Sequence, residues 1–444
     1  MSENEVGFAV LGAGTVGGAL LKYWAQNREF LDREIGAQLS LKAVAVKQPA
    51  KSRPQWIPQD AVTTDIEGAI RNPDVNVVVS SLGDNSAEYA AIILALSLGK
   101  RVVTANKFVV ALHGPHLYRL AREHGTELFI EAAVCGGIQI VDALQTRYRA
   151  NQFHSVLGIV NGTTNYIVTK MTAGATYAEA LKEAQQLGYA EPDPTADVTG
   201  ADAACKLSIL ATLMSGEHLS PTDIHTEGIQ GLSRQDFRNA SEFGYTIKLM
   251  ASASFSDQGI AAWVAPTLVS NEHPLSHVSG VKNAVYITGD PIGYACLEGY
   301  GAGGDATAAS LASDLMNAAA HIVKGGYIQP MPTCSAQVRN VPFESVRNMQ
   351  YVRLVIHDRV GSARDILAVL ASNGVSVFQE LQSKRRMNRT RRLAEWVIMT
   401  DEGTEGDLSS ALKEIEKLDV FYRMGSVLRV LETEFEDADL DSDD

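Results

Sequence analysis

The chain has 444 residues, of which 45% are hydrophobic and 20% are charged, and its formal net charge at pH 7 is -14. Domains typically contain about 100 to 200 residues, so this length and composition predict more than one folded unit with its own core. The acidic balance excludes a protein that captures nucleic acid through a uniformly basic face. Eight of the acidic residues fall in residues 432–444, which we interpret as a disordered acidic tail.

The cysteines and the N-terminal segment bear on the cellular compartment. Cys135, Cys205, Cys296 and Cys334 lie far apart and form no CxxC pair, which argues against a disulfide scaffold and against structural zinc. The first strand pattern begins near residue 6 without a preceding signal segment, and no apolar run reaches the roughly 20 residues that span a bilayer. The sequence therefore predicts a soluble, cytoplasmic protein without a membrane partner.

In residues 1–130, short apolar runs alternate with longer segments of helical periodicity. The runs read GFAVLG, LSLKAVAV, VNVVVSSL, KRVVTAN and ELFIEAAV. This alternation predicts a Rossmann-type parallel sheet with crossover helices. We assign residues 306–340, which begin with an Ala-rich helix, to the same domain.

The rest of the chain divides into two further predicted domains. Residues 131–305 mix Gly-rich loops, helices and strand-like runs, and we interpret them as an α+β domain. The resemblance of its motifs to a known family, given below, implies that it is a catalytic and dimerisation domain. In residues 349–431 the order becomes strand, helix, strand, strand, helix, strand, which predicts a small sheet with two helices on one face. The predicted fold class is therefore α/β, with this βαββαβ module at the C-terminal end.

A glycine-rich loop follows the first predicted strand and opens a helix. Its glycines permit a tight turn and a close approach of backbone amides to a pyrophosphate at the helix N-terminus. A Gly-rich turn without a ligand is the alternative, but the strand before it and the helix after it favour dinucleotide binding. The cofactor-binding residues predicted in this loop are Gly12, Gly14, Thr15, Val16 and Gly17.

The end of the second strand bears on the choice of cofactor. A carboxylate there would accept a hydrogen bond from the ribose 2'-hydroxyl of NAD, whereas basic residues would accommodate the 2'-phosphate of NADP. The segment carries Lys47, Lys51 and Arg53 and no carboxylate. NADP is therefore favoured over NAD, with Lys47 and Arg53 as phosphate ligands, although three solvated surface cations are the alternative.

The most informative segment is LGYAEPDPTADVTGADAACKLSILATL, residues 187–213. Asp202 and Lys206 stand four residues apart at the start of a predicted helix, so their side chains project from one face. An ordinary surface ion pair is the alternative at that spacing. The apolar remainder of the helix and the acidic, Pro-containing loop before it favour a functional site instead.

Six motifs in chain order resemble those of the homoserine dehydrogenase family. They are GAGTVG at 12–17, TANK at 104–107, EAAVCGGI at 131–138, NGTTNYI at 161–167, LGYAEPDPTADVTGADAACKL at 187–207 and GYGAG at 299–303. The resemblance implies a reversible, NAD(P)H-dependent reduction of L-aspartate 4-semialdehyde to L-homoserine, on the branch that leads to threonine and methionine.

The resemblance also implies roles for matched residues. Lys206 would give the aldehyde oxygen its proton as hydride arrives at the carbon, and Asp202 would orient both substrate and lysine. Glu191 would bind the substrate ammonium, for which a carboxylate is a suitable partner. Lys107 and Thr163 would complete the substrate contacts. The cofactor residues implied beyond the glycine loop are Thr104, Lys107, Gly188 and Gly303.

The same resemblance implies a sodium ion bound by Glu131, Val134, Gly136 and Ile138. One carboxylate and three backbone carbonyls form a hard-oxygen set that suits such an ion. Gln139 follows this loop where the family usually has proline, and a tight turn without metal is the alternative.

Residues 349–431 resemble an ACT domain, which implies feedback by threonine and a homodimer or homotetramer. The usual Asp-x-Pro-Gly turn reads Asp358-Arg359-Val360-Gly361, so a module that only dimerises is the alternative. The basic run at residues 384–392 lacks interleaved aromatic residues, and we interpret it as a solvated hairpin tip rather than a nucleic-acid site.

Two other functions remain as alternatives. A phosphate-dependent semialdehyde dehydrogenase would use Cys135 as nucleophile, but its loop lacks a neighbouring histidine. A catalytically silent protein would bind nucleotide and amino acid only, which leaves Glu191, Asp202 and Lys206 without a role.

Overall fold

The computed structural model describes residues 5–50, 53–325, 332–334, 339–382 and 392–432. Three parts of the chain that figured in the predictions lie outside these residues: Lys51, the basic segment 384–391 and the acidic segment 433–444. In the described ranges, no helix combines the length and the apolar character needed to cross a membrane.

The strands of the described chain range from two to twelve residues in length. In chain order they are β1 (Glu5–Leu11), β2 (Gln38–Ala45), β3 (Val62–Thr63), β4 (Val77–Ser80), β5 (Arg101–Thr104), β6 (Leu128–Phe129), β7 (Gln152–Ile159), β8 (His225–Thr226), β9 (Tyr245–Ser256), β10 (Gly259–Ser270), β11 (Lys282–Asp290), β12 (Gly293–Tyr300), β13 (Arg347–His357), β14 (Val377–Gln382), β15 (Leu393–Thr400), β16 (Gly403–Thr404) and β17 (Phe421–Leu431).

The α-helices, in the same order, include two that have only three and four residues. They are α1 (Thr15–Gln26), α2 (Arg28–Ile35), α3 (Ile66–Arg71), α4 (Asn85–Ser97), α5 (Lys107–Glu123), α6 (Ile140–Asp142), α7 (Gly162–Thr172), α8 (Tyr177–Gln186), α9 (Thr195–Val198), α10 (Ala201–Ser215), α11 (Arg234–Phe243), α12 (Gly304–Lys324), α13 (Ser362–Ser372) and α14 (Glu405–Ile415).

The chain packs into two compact units. The first contains Met1–Gly162, Asp202–Ile224 and Val281–Val338, and the second contains Thr163–Ala201, His225–Gly280 and Arg339–Asp444. This division follows backbone contacts, so the three functional domains expected from the sequence stay a prediction.

The first unit contains a six-stranded parallel sheet in the order β3-β2-β1-β4-β5-β6. This is the doubly wound order of dinucleotide-binding sheets, so the Rossmann-type fold class is confirmed. The strand β4 reads VVVS and is buried throughout, because helices cover both faces of a parallel sheet. The two-residue strand β3 was not predicted, since so short a segment has no periodicity to read.

Helix α12 packs against the same sheet although it lies far along the chain. Its Ala308, Leu311 and Leu315 share a buried cluster with Leu20 and Trp24 of α1. The first unit also holds β7, β11 and β12, which pair in antiparallel fashion. The ends of β7 and β12 therefore belong to the same unit as the glycine loop.

In the second unit, the C-terminal residues form the predicted βαββαβ order. Strands pair in the order β17-β13-β15-β14, all antiparallel, and α13 and α14 pack on one face through Ile366, Leu370, Leu408, Ala411 and Ile415. The ACT assignment itself stays a prediction.

This module continues a larger sheet of its own unit. The end of β17 pairs in parallel with β10, Arg429 to Thr267 being one matched position. Arg353 of β13 lies 2.7 Å from Asp236 of α11 and 2.8 Å from Glu395, with all three side chains buried. The buried arginine therefore ties the module to α11 by charge-assisted hydrogen bonds, which are stronger than neutral ones.

Candidate active site

Three of the predicted residues form one buried ionic cluster in the first unit. The carboxylate of Asp202 lies 2.8 Å from the Lys206 ammonium through Oδ2 and 2.8 Å from the Lys107 ammonium through Oδ1. The side chains of Asp202 and Lys206 are 5% and 9% exposed, and that of Lys107 is 30% exposed. The alternative of a surface ion pair is thus wrong for Asp202 and Lys206, and only Lys107 borders solvent.

The electrostatics of this cluster favour an ionised carboxylate. Burial opposes the charge on Asp202, but the ammonium groups of Lys206 and Lys107 outweigh burial and hold the pKa of Asp202 well below its usual range. Two ammonium groups thus share one buried carboxylate, so the cluster has a net positive charge. It borders solvent at Lys107.

The backbone at the end of β7 anchors the cluster. Lys206 Nζ donates to the Val160 carbonyl at 2.7 Å, and Asn161 Nδ2 donates to Asp202 Oδ2 at 2.8 Å. Both bonds join α10 to the segment that starts the NGTTN loop. The structure therefore brings Asn161, the first residue of that loop, to the cluster.

Lys107 is the first residue of α5, directly beyond the carboxyl end of β5. Asn106 caps the helix by accepting a hydrogen bond from Val109 N. Thr104 is buried, and its hydroxyl donates to Glu88 Oε1 at 2.8 Å, which leaves its predicted cofactor contact to the main chain. Carboxyl ends of parallel strands are where open α/β sheets bind ligands.

Glu88 is a buried carboxylate that the sequence reasoning missed. It also accepts from Leu82 N at 2.6 Å, and burial raises its pKa. It thereby links the loop after β4 to the end of β5. A glutamate in the first turn of a helix is common in any sequence, so no signal distinguished it.

The glycine loop has the predicted geometry. Gly12 has φ of +93°, and a Cβ on Gly17 would collide with the Gly12 carbonyl, so both positions require glycine. Gly14 faces open space and precedes Thr15 at the start of α1. The first backbone amides of α1, those of Thr15 and Val16 among them, are therefore available to an anion, as at other helix N-termini.

A second helix begins beside this loop. Gly303 has φ of +111° and immediately precedes α12, without a side-chain cap. A Cβ on Gly304 would lie 3.6 Å from Cγ2 of Thr15. The predicted cofactor residue Gly303 therefore lies close to the glycine loop, and two helix N-termini meet there.

The two predicted phosphate ligands differ in their surroundings. Lys47 follows β2 and is exposed. Arg53 donates instead to the carbonyls of Pro49 and Gln48, at 2.9 and 2.6 Å. Lys47 thus lies open to solvent at the strand end, whereas Arg53 would have to leave two carbonyls to reach a phosphate.

Three other predicted residues belong to the second unit. Gly188 has φ of +77° and open space where a Cβ would lie. Thr163 Oγ1 donates to the Tyr189 carbonyl at 2.6 Å. Glu191 is exposed, and in the described part of the chain its carboxylate accepts no hydrogen bond, although its carbonyl accepts one from Gln185.

The predicted sodium ligands form a buried loop in the first unit. Glu131 accepts from Val141 N at 3.0 Å and from Asp142 N at 2.6 Å, and burial raises its pKa to about 7. The Gly136 carbonyl accepts from the Ser310 hydroxyl. Each of these oxygens keeps a lone pair, so the donor set fits a hard cation, while the bonds to α6 also serve the alternative of a structural turn.

Two further residues near this loop make bonds that were not predicted. Asp314 of α12 accepts from Glu131 N at 3.0 Å, and burial together with the charge of Glu131 raises its pKa well above its usual value. Gln139, in place of the usual proline, adopts φ of 59° and donates to Ser310 at 2.9 Å. Proline cannot adopt that φ, so this loop departs locally from a proline-containing one.

Cys135 has none of the features of a catalytic nucleophile. Its side chain is buried, and burial raises the pKa of its thiol to about 12. The nearby charge of Lys206 lowers that pKa too little to compensate. A thiolate nucleophile requires the opposite, a lowered pKa.

Comparisons with known proteins all give one family. A family model described as "Homoserine dehydrogenase, NAD binding domain" matches residues 12–131, and one described as "Homoserine dehydrogenase" matches residues 140–316. The homoserine dehydrogenase of Synechocystis sp. is 37% identical over 438 residues, 96% of this chain and 99% of that protein. That of Bacillus subtilis is 36% identical over 427 residues, 95% and 97% of the two chains.

Solved structures give the same result. A homoserine dehydrogenase from Thiobacillus denitrificans superposes with a TM-score of 0.90 at 33% identity, and the match covers 97% of this chain and 99% of that one. A hyperthermophilic archaeal homoserine dehydrogenase in complex with NADPH has a TM-score of 0.62 at 26% identity, covering 74% of this chain and 99% of that one.

These similarities do not favour the two alternative functions. The relatives carry one name and match this chain over nearly their whole length. Cys135 is buried and its thiol pKa is raised, which does not suit phosphate-dependent chemistry. The chain therefore belongs to the homoserine dehydrogenase family, NAD(P)-dependent oxidoreductases that interconvert L-aspartate 4-semialdehyde and L-homoserine.

Proposed function

We propose that Lys206 is the proton donor of the reduction and that Asp202 holds it in place. The observation that carries this proposal is the buried cluster in which both lysines lie 2.8 Å from one carboxylate. The bound nicotinamide supplies the hydride chemistry. As negative charge develops on the aldehyde oxygen, the Lys206 ammonium gives it a proton, and in the reverse direction the neutral amine takes the hydroxyl proton.

The other substrate contacts are proposals that rest on the matched motifs. The carboxylate of Glu191 is suited to the substrate ammonium. The Thr163 hydroxyl donates its hydrogen bond to the Tyr189 carbonyl, so its oxygen can still accept a hydrogen bond from the substrate. Lys107 neutralises a substrate or cofactor anion. Homoserine-dependent reduction of NADP and NAD is the assay for all these assignments, and an unchanged KM for homoserine in Glu191→Gln would contradict the role of Glu191.

We propose NADP as the preferred cofactor, with Gly12, Gly14, Gly17 and Gly303 around the pyrophosphate. The exposed Lys47 at the end of β2, with no carboxylate nearby in sequence, supports the preference. Arg53 joins it only if it leaves the carbonyls that it now binds. Gly188 completes the set by resemblance.

Removing Lys47 should weaken NADPH selectively. A hydrogen bond to a charged group contributes about 1.5 to 3 kcal/mol, so Lys47→Ala should raise the KM for NADPH by on the order of tenfold. The KM for NADH should stay within about twofold, since NADH lacks the phosphate. Lys22→Ala, which removes an exposed lysine from α1, is the matched control. Equal effects on both cofactors would contradict the preference.

We propose that a sodium ion binds Glu131 and the carbonyls of Val134, Gly136 and Ile138. The ion would compensate buried negative charge and hold the loop, and it takes no part in proton transfer. The oxygen-rich loop supports this role. Replacing potassium by sodium in the buffer should raise the midpoint of thermal unfolding, and an identical midpoint in both salts would contradict it.

We propose that the C-terminal module is an ACT domain that binds threonine. A cavity bordered by Asp358, Gly361, Ser362, Glu380 and Trp396 lies at the start of α13, where the degenerate turn leads into the helix. Polar groups around an apolar wall suit a small zwitterion.

Threonine should therefore inhibit the enzyme and stabilise it. A ligand at 100 times its Kd raises the free energy of unfolding by about 2.7 kcal/mol, which a thermal shift assay detects. Serine at the same concentration is the control. If threonine changes neither the rate nor the unfolding midpoint, the module only dimerises.

We propose further that the protein is a cytoplasmic homodimer or homotetramer. Light scattering of the purified protein tests its oligomeric state.

A further inference from the structure

One buried amide in the first unit has no role in the proposed proton transfer. Asn283 lies in β11 and is 0% exposed. Its Nδ2 donates to the Ile159 carbonyl at 2.7 Å. Regular pairing between β11 and β7 ends at Ala284 and Ile159, so the side chain of Asn283 extends the ladder past its last backbone pair.

The residues that follow Ile159 hold the catalytic cluster. The Val160 carbonyl accepts from Lys206 Nζ at 2.7 Å, and Asn161 Nδ2 donates to Asp202 at 2.8 Å. Three consecutive residues are thus bound in turn by Asn283, Lys206 and Asp202. A shift of the backbone at Ile159 would displace both anchors of the cluster together.

The other end of the amide lies against the GYGAG loop. Asn283 Oδ1 is buried and accepts no hydrogen bond within the described residues. A Cβ on Gly301 would overlap that oxygen, so the loop passes the amide only because residue 301 is glycine. Two residues later, Gly303 precedes α12 beside the glycine loop.

Oδ1 of Asn283, unpaired among the described residues, has an energetic cost, so a benefit elsewhere is expected. A buried polar atom without a partner destabilises the fold. An apolar side chain of similar volume would avoid that cost at Oδ1, but it would take away a donor from the Ile159 carbonyl. The amide of Asn283 instead donates to that carbonyl at 2.7 Å. The same amide group thus has an oxygen, Oδ1, that is unpaired in the described part of the chain, and a nitrogen, Nδ2, that holds the end of β7.

We propose that Asn283 is a positioning residue for this reaction: it fixes the strand end that holds Lys206 and Asp202, and Gly301 of the GYGAG loop packs against its amide. The inference rests on the proposed role of Lys206. It assigns Asn283 no contact with substrate or cofactor. A misplacement of about 1 Å at a reacting group costs as much as a hundredfold in rate, so a loss of the bond to Ile159 is expected in kcat.

Two substitutions test the proposal. Asn283→Leu removes both polar functions at similar volume and should lower kcat by on the order of tenfold or more, with the KM for homoserine changed by less than about threefold. Asn283→Asp keeps the acceptor but replaces the donor by a carboxyl group. Burial against a carbonyl raises the pKa of that carboxyl, and only its protonated form can donate to Ile159.

The pH profile therefore distinguishes positioning from simple packing. The kcat of Asn283→Asp relative to wild type should rise as the pH falls from about 9 to about 5, while the ratio for Asn283→Leu stays flat. Asn239→Leu is the control, because Asn239 is also buried and donates at 2.8 Å to Tyr351, in the second unit. Its kcat per folded molecule should equal that of wild type.

The outcomes separate this inference from the proposed mechanism. If Lys206→Met is inactive while both Asn283 variants keep kcat within about twofold of wild type, only the positioning role is wrong. A flat kcat ratio for Asn283→Asp contradicts it as well. If Lys206→Met keeps the wild-type rate, the mechanism on which the inference rests is itself wrong. Should Asn283→Leu fail to fold, the pH profile of Asn283→Asp alone decides.

Discussion

Replacing Lys206 with methionine should lower kcat/KM for homoserine oxidation by on the order of 10² to 10⁴, the usual contribution of a positioned general acid or base. Methionine keeps the length and volume of the side chain but cannot exchange a proton. Asp202 would keep Lys107 at 2.8 Å and Asn161 at 2.8 Å, so its buried charge stays paired and the protein should remain folded.

The control for this substitution is another lysine of the same unit. Lys100 donates to the carbonyls of Asn72 and Val75, at 2.6 and 2.7 Å, and burial lowers its pKa. Lys100→Met removes comparable bonds at the opposite end of the parallel strands. It should cost stability but leave kcat/KM near the wild-type value. Equal rates for Lys206→Met and wild type would overturn the assignment of the acid.

Asp202→Asn should have the second largest effect, on both rate and stability. The asparagine keeps the shape of the side chain but leaves Lys206 and Lys107 without their shared counter-charge in a buried position. Removing one partner of a buried ion pair typically costs about 3 to 5 kcal/mol. We expect kcat to fall by on the order of a hundredfold, because Lys206 loses the group that holds it.

The pH dependence of stability has a definite sign. The folded-state pKa of Asp202 is lowered, so its stabilisation is fully present above the unfolded-state value of about 3.9 and disappears as the pH falls through the lower folded value. The difference in free energy of unfolding between wild type and Asp202→Asn should thus be constant near neutrality and shrink below about pH 4. Urea unfolding at a series of pH values measures it.

Asp236→Asn is the matched control for both readouts. Asp236 is buried beside Arg353 in the second unit, and its pKa is lowered although burial opposes the charge. It should reproduce the loss of acid-dependent stability without the loss of kcat. An Asp202→Asn enzyme with wild-type kcat would show that the buried cluster is structural only.

The predictions that succeeded depended on patterns local in sequence. Asp202 and Lys206 fall on one face of a helix by spacing alone, and the structure joins them at 2.8 Å. The glycine loop likewise needs only its neighbours, because its tight turn and helix start are encoded within six residues. Lys107, by contrast, was assigned to the site by its motif. Its ion pair with Asp202 joins residues that are far apart in sequence, so no local pattern predicts it.

Residues that act across long sequence separations were missed. Asn283 reads as an ordinary strand residue, and nothing local shows that its amide binds Ile159, 124 residues away. Asp314 reads as one acidic residue on an Ala-rich helix, yet it meets the backbone of Glu131. Pairing of this kind arises from tertiary packing, which periodicity does not encode.

The C-terminal module shows the same division. Its alternation of strands and helices was clear from hydrophobic periodicity and is confirmed as the βαββαβ order, apart from the unpredicted two-residue strand β16. The parallel pairing of β17 with β10 was not foreseen, nor was the buried bond of Arg429 to Glu405 at 2.9 Å. An arginine in a strand usually indicates a solvated face, and only the fold reveals that this one is covered.

Isotope transfer directly measures the movement of hydride between the nicotinamide and the aldehyde carbon. The purified chain is incubated with L-aspartate 4-semialdehyde and NADPH deuterated at C4 of the nicotinamide, without added phosphate, and the product is analysed by mass spectrometry. We expect L-homoserine that carries one deuterium at its hydroxyl-bearing carbon, from one of the two C4 epimers of the cofactor and at a much reduced rate with Lys206→Met. If no homoserine forms, or if homoserine forms without deuterium from either epimer, the chain does not catalyse this hydride transfer.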